Sequence, residues 1–470
     1  MVTYGDPTLN PTLSGKQKAK NQTLVGIHNQ DNTLVGDVDH IADKATGGND
    51  KLTGGNNSGS GSITNALFGD AYYDMTGSSQ GGKDTLTGGS ANGSGTLTNN
   101  LYGDTYDMSG SALGGNDKLA GGSASGTSSV TNTFFGDAYN VSGSAQGGND
   151  TLTGGDNTSS GFAAGDNNSA VYNRLSGDAY NLNDTAVGGD DTLRGGHNSG
   201  IGLLTNYLFG DAEYMYGSAK GGSDTLTGGD NTGGGHVLDV LLGDAGQMFD
   251  FAQGGNDTLT GGNNSGSGTV DNFLIGEAGQ MYGSNQGGND TLTGGDNSGS
   301  GTVHNYLGGE SPNGRMFDSA QGGNDTLTGG DSSGGGTVTN DFVGDAGYMY
   351  DSAKGGNDTL IAGTQTGSGS VVNNMWGDAQ NMSGSATGGQ DTFVFKGDFV
   401  GTQNSIYDFN QSQLDKIEFS GVTGVTSFSD LTIVQTDPNT VVITAAADQV
   451  TLVNYDNTAH QLTASDFLFA

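Results

Sequence analysis

The residues of this chain with the clearest capacity for chemistry are its acids. Of 51 acids only Glu213, Glu277, Glu310 and Glu418 are glutamates, leaving 47 aspartates. Aspartate is the short carboxylate that suits tight turns and rigid all-oxygen ligand sets. Against 14 lysines plus arginines the formal net charge is -37, a surface that repels phosphates and anionic lipids and attracts cations. No nucleic-acid partner and no membrane insertion are expected. There is no cysteine, and the six histidines (His28, His40, His197, His236, His304, His460) lack metal-ligand spacing, which sets aside disulfides, thiolate sites and zinc. No HExxH or GxSxG stands in the context its chemistry needs, and no paired acid and base lies outside the turns, so no enzyme activity is expected.

The elements that must position these acids follow from self-comparison. GGxD begins at Gly47, Gly81, Gly114, Gly147, Gly188, Gly221, Gly254, Gly287, Gly322, Gly355 and Gly388, at spacings of 34, 33, 33, 41, 33, 33, 33, 35, 33 and 33. The 41-residue unit carries about eight extra residues around Gly161 to Ser169, read as a surface loop. With 91 glycines in 470 residues and little proline, the composition calls for many short elements joined by tight turns. Leucine-type positions recur at Leu52, Leu67, Leu86, Leu101, Leu119, Phe134 and Leu152, alternately 15 and 18 or 19 apart. A second apolar row runs Leu97, Ala112, Val130, Ala145. Each 33-residue unit therefore reads as a double coil, every half supplying very short strands with one inward residue. About twenty such coils at 4.8 Å predict a rod near 100 Å long.

The array GNDKLTGG at Gly48 to Gly55 and GNDTLTGG at Gly148 to Gly155, recurring over roughly 45–395, resembles the repeats-in-toxin (haemolysin-type) parallel β-roll, whose nonapeptide GGxGxDxUx binds calcium in its turns. The resemblance implies an all-β parallel β-roll or β-helix solenoid with Ca²⁺ between the turns of neighbouring coils. The implied metal ligands in the GGxD row are Asp50, Asp84, Asp117, Asp150, Asp191, Asp224, Asp257, Asp290, Asp325, Asp358 and Asp391. A second row, which departs from the family motif, is Asp70, Asp104, Asp137, Asp178, Asp211, Asp244, Glu277, Glu310, Asp345 and Asp378. Alternate coils carry only a shortened turn such as Thr98-Asn99. Stacked in parallel, either row repels itself unless cations bridge it or turn amides hold it.

Two further ladders are apolar. Met108, Val141, Leu182, Met215, Met248, Met281, Met349 and Met382 read as an extension of the core. Phe68, Tyr102, Phe135, Phe209, Leu242, Ile275, Val343 and Trp376 alternate outward, either as an interaction stripe or as a row covered by the chain's own turns.

Three regions are expected: an N-terminal segment 1–23, whose Lys16, Lys18 and Lys20 make it a candidate anchor to a cell-surface glycan; a solenoid 24–387 of ten repeats; and a β domain 388–470. In the last, IYDFNQSQLDKIEF and the cluster Asp466 to Ala470 resemble the C-terminal domain of type I secreted calcium-binding proteins. That likeness implies export by a type I secretion machinery. It agrees with an N-terminus that lacks the apolar stretch of a Sec signal peptide. Together these readings predict a secreted or cell-surface structural protein that assembles with itself in a surface layer, sheath, filament or matrix. The alternative is an ice-binding or adhesive rod, suggested by Thr96, Thr98 and Asn99 or Thr337, Thr339 and Asn340, in a row interrupted by Asp239, His304 and Val372.

Overall fold

The computed structural model describes residues 2–4, 12–160, 169–399 and 401–470; the expected surface loop at Gly161 to Ser169 lies almost wholly outside them. The chain is an all-β parallel solenoid. Most turns of the spiral contribute a short strand such as Thr85–Thr87, a long strand such as Thr96–Tyr102 and a third strand such as Thr105–Met108. Stacked along the axis, the short strands form a 14-stranded sheet and the long strands a 16-stranded sheet, while the third strands form sheets of 8 and 3 strands.

The pairing register corrects the expected coil length. Leu52 pairs with Leu86 and Leu86 with Leu119 in one sheet, whereas Leu67 pairs with Leu101 and Leu101 with Phe134 in another. Leucines 15 and 18 apart are thus opposite walls of one coil, and the whole 33-residue unit winds once. About twelve coils result, and at 4.8 Å each they give a rod of about 60 Å rather than one near 100 Å. Thr98 and Asn99 are not a shortened turn; they lie in the middle of the long strand Thr96–Tyr102.

The interior holds three apolar columns. Leu86 and Leu101 share the first with their equivalents in every coil, Met108 and Ala112 belong to the second, and Leu97 and Val130 join Ala91 and Ala124 in the third. Leu97 and Ala112 therefore occupy different columns, not one row. The methionine ladder is core as expected, with Met108 at 1% and Met215, Met248, Met281 and Met349 at 0% exposure. Met382, on the last strand of its sheet, reaches 39%. Of the two readings of the Phe68 row, the covered one holds for six of eight: Phe68, Phe135, Phe209, Leu242, Ile275 and Val343 are buried, while Tyr102 and Trp376 are half-buried. Tyr72 and Tyr139 on the third strands set their rings edge-on over Phe68 and Phe135.

After residue 388 the chain keeps extending the same sheets. Thr392–Lys396 pairs with Thr359–Ile361, and Thr402–Ile406 with Ser370–Trp376, before an antiparallel set, Leu431–Asp437, Thr440–Ala445 and Asp448–Val453, ends the 16-stranded sheet. No helix among the described residues is long and apolar enough to cross a membrane.

Candidate metal centre

Both acid rows lie inside one corner of the coil, between the leucine and methionine columns. Every residue named in them is buried, from 0% exposure at Asp70 to 4% at Asp378. The corner is made by glycines on both sides. Gly81 and Gly82 open the turn before Asp84, and Gly103 precedes Asp104 where the long strand hands over to the third strand.

Each GGxD carboxylate is held by one oxygen only. Asp84 Oδ1 accepts the backbone N–H of Asp50 at 2.5 Å, Asp117 Oδ1 that of Asp84 at 2.6 Å, and the pattern continues to Asp391, which accepts from Asp358 at 2.9 Å. In all eleven the other oxygen, Oδ2, is buried without a hydrogen-bond partner. In the second row the carboxylate caps the next turn: Asp70 Oδ2 accepts from Gly82 and Asp104 Oδ2 from Gly115, and Glu277 and Glu310 do the same with Gly288 and Gly323. Asp70, Asp104, Asp211, Asp244, Glu277, Glu310 and Asp345 each leave one oxygen unpartnered. Asp137 and Asp178 divide a single N–H between both oxygens, and Asp378 has both occupied, by Gly389 and Gln413. The sequence left two ways of stabilising stacked acids, and the structure uses backbone amides on every acid of both rows while leaving one oxygen unpartnered on most.

The orphaned oxygens converge. A Cβ built on Gly69 would stand 2.1 Å from Asp84 Oδ2 and 1.7 Å from the Gly103 carbonyl, and one on Gly81 would stand 2.0 Å from Asp104 Oδ1. Carboxylate and carbonyl oxygens thus surround a space only glycine leaves open. Ligand oxygens of Asp37, Asp50 and Asp70, and again of Asp70, Asp84 and Asp104, lie within 4.8 Å of one another, so Asp70 belongs to two successive groups. The donor set is all oxygen and anionic, which fits a hard divalent cation such as Ca²⁺ and not a soft or thiophilic metal.

Charge at the corner is costly without a cation. Burial, reinforced by Asp37, pushes Asp50 up to about 7, and burial with Asp84, Asp104 and Asp37 nearby drives Asp70 well above the usual carboxylate range. The same causes act on Asp117, Asp150, Asp224 and Asp257. Desolvation disfavours the ionised form, and each carboxylate penalises the next.

Three ligand-like acids were missed in the sequence. Asp37 precedes the second row, and its signal is the Gly36-Asp37 dipeptide after a long strand, as at Gly69-Asp70. Asp415 Oδ1 accepts from Asp391 and so continues the GGxD row. Asp408 accepts from both Gly377 and Asp378 and closes the second row. Both lie in IYDFNQSQLDKIEF, where the repeat is no longer visible.

A second buried polar column was also missed. Asn65 Nδ2 donates to Asn99 Oδ1, Asn99 to Asn132, Asn132 to Asn173 and Asn173 to Asn206, all at 2.7–2.8 Å. Each also exchanges two bonds with a turn glycine, as Asn99 does with Gly89 N–H and C=O. Its signal is the Asn that recurs two residues before the long-strand leucine-type residues, replaced by Asp only at Asp239. Comparison with protein families, curated proteins and solved structures finds no match to this chain.

Proposed function

We propose that this protein is a secreted, extracellular calcium-binding structural β-solenoid of the repeats-in-toxin kind, a non-enzymatic building block that assembles with itself into a surface layer, sheath, filament or matrix. The observation that carries the proposal is the double file of buried carboxylates, each member of the GGxD row keeping one oxygen unsatisfied beside a turn glycine. Asp50, Asp84 and Asp117 with Asp70, Asp104 and their equivalents would hold Ca²⁺, which supplies positive charge between coils that otherwise repel. In a low-calcium interior the rows keep the chain loose enough for export, and millimolar external calcium drives coil stacking. The test is far-UV circular dichroism with and without chelator at pH 8, followed by electron microscopy on adding calcium. A fully folded β signal without divalent ions removes the cation role, and a protein that stays monomeric at high calcium and concentration removes the assembly role.

A second reading has its own observation. The short strands Thr225–Thr227, Thr258–Thr260, Thr291–Thr293 and Thr326–Thr328 place two threonines each beside an inward leucine in four consecutive coils. That gives a regular hydroxyl lattice on the 14-stranded sheet, which suits ice or another repeating surface better than the interrupted row of the long strands. Thermal hysteresis tests it, and its absence at millimolar protein sinks it.

A further inference from the structure

On the third strands, tyrosines stack along the rod. Tyr106 and Tyr139 have centroids 5.0 Å apart at 9°, and Tyr139 and Tyr180 4.7 Å apart at 6°. The stack does not continue toward the N-terminal end. The unit beginning at Gly47 has one residue more than its neighbours, and the extra residue falls in the five-residue strand Ala71–Met75, whose pairing with Val38–Ile41 shifts register. The register Asp74 to Asp107 aligns Tyr73 with Tyr106. Yet Tyr73 stacks on His40, 5.3 Å away at 22°, rather than on Tyr106, while Tyr72 sits edge-on to Phe68 at 5.0 Å. His40 is itself hydrogen-bonded to Asp74 at 2.9 Å, which fixes the position of Tyr73.

Tyr106, 39% exposed, stacks on Tyr139 and lies tilted at 45° to Tyr102 at 6.0 Å, and with Tyr72 and Tyr73 it walls a cleft of about 310 Å³. Phe68 and Tyr102, parallel at 4.5 Å and 1°, form its floor, and Asn100 and Thr33 its side. Among the described residues, the side chains of Asn100 and Thr33 make no hydrogen bond and no charged side chain lines the cleft.

We propose that this cleft binds a neutral sugar ring, its C–H face on the exposed ring of Tyr106 and its hydroxyls on Asn100 and Thr33. An aromatic ring presents a negative face that attracts the polarised C–H bonds of a pyranose. The amide and hydroxyl are what a purely apolar ring or a quaternary ammonium would bury unpaired, at a penalty. Nucleobases arrive with phosphate, which the net charge of -37 repels. The proposal is independent of the cation reading, because the cleft lies on the outer surface and none of the corner acids touches it.

The test is ligand-observed saturation-transfer NMR and calorimetry on the calcium-loaded full chain, with cellobiose, maltose and N,N′-diacetylchitobiose as probes and tetramethylammonium chloride as a separate arm. At least one disaccharide is expected to saturate at millimolar concentration. Tyr106→Ala should weaken it about tenfold or more, as loss of a stacking ring does elsewhere, and Asn100→Ala severalfold. Tyr106→Phe and Tyr180→Ala should leave it unchanged, and Asn100→Ala carries the test should Tyr106→Ala not fold. The proposal is overturned if no disaccharide saturates below about 50 mM, if only tetramethylammonium binds, or if Tyr180→Ala weakens binding as much as Tyr106→Ala.

Discussion

Replacing Asp239 by asparagine should stabilise the middle of the rod, and by an amount that depends on pH. Asp239 is the single carboxylate in the asparagine column, at 0% exposure. It accepts from Asn206 Nδ2 at 2.6 Å and from Gly229 N–H at 2.8 Å. At the next step Asn272 Oδ1 should receive an N–H from its neighbour, as Asn305 receives one from Asn272 at 2.8 Å, but an ionised Asp239 has no proton to give. Burial raises its pKa from 3.8 to about 7, with Asp230 adding a smaller push. Because the folded value exceeds the unfolded one, no penalty exists below pH 4, where both states are protonated. Between about pH 4 and 7 the unfolded chain loses its proton while the folded chain keeps it, and stability falls by about 1.4 kcal/mol per unit. Above pH 7 the loss is complete, roughly 3 units or about 4 kcal/mol. Asparagine does not titrate and restores the missing donor, so Asp239→Asn should gain about 4 kcal/mol at pH 8. At pH 4 the gain should vanish, because the protonated carboxyl carries a donor of its own and no titration penalty remains. In a solenoid stability is nearly a sum of coil and neighbour terms, so the gain is local. Hydrogen exchange of 203–275 with bound calcium, compared between variant and parent at the two pH values, reads it. Equal protection in variant and parent at pH 8, or a gain that does not change with pH, would refute the argument.

The calcium-free chain should respond to pH in the direction of its raised corner acids: stability present below about pH 4 and lost as pH rises toward and past 7, so chelated protein should show more β signal by circular dichroism at pH 4 than at pH 8, with calcium restoring the latter. Gly69→Ala would put a methyl 1.7 Å from the Gly103 carbonyl and 2.1 Å from Asp84 Oδ2; it should cost about 3 kcal/mol or more and remove bound calcium in a chelator competition titration, whereas Gly61→Ala, with nothing within 4 Å of the new atom, should do neither. Leu226→Ala, at a fully buried position of the leucine column, should lose about 2–5 kcal/mol in chemical denaturation of the calcium-loaded protein.

Much of the site was legible because the repeat writes each acid at a constant distance from its turn glycines. Asp84, Asp117 and Asp150 could be named from GGxD alone, and all are buried as a row. Asp408 and Asp415 could not be, since they meet the rows only through the fold: 24 residues separate Asp391 from Asp415, not 33, yet the carboxylate of one takes the amide of the other at 3.1 Å. The asparagine column was written as plainly as the acids. It was hidden by a reading that made Thr98-Asn99 a turn, for a polar residue with a polar neighbour looks like a loop unless its strand is known. The Phe68 row shows the converse. Alternation correctly turns it away from the leucine core, but whether an outward aromatic meets water depends on the third strand, whose Tyr72 and Tyr139 cover it.

The sequence by itself determined that the chain is a parallel stack, that its corners are glycine and aspartate, and that each strand turns one apolar face inward, because a 33-residue period and a two-residue alternation are properties of the residues alone. Only the tertiary structure decided how many turns each period makes. Leucines 15 and 18 apart satisfy the same alternation whether they lie one above another or face each other across a wider coil. Backbone pairing, which joins Leu67 to Leu101 and leaves Leu86 on the opposite wall, is a contact between segments that the pattern within any one segment cannot express. The wider coil is also what brings both acid rows to one corner, close enough for Asp70, Asp84 and Asp104 to face a common space.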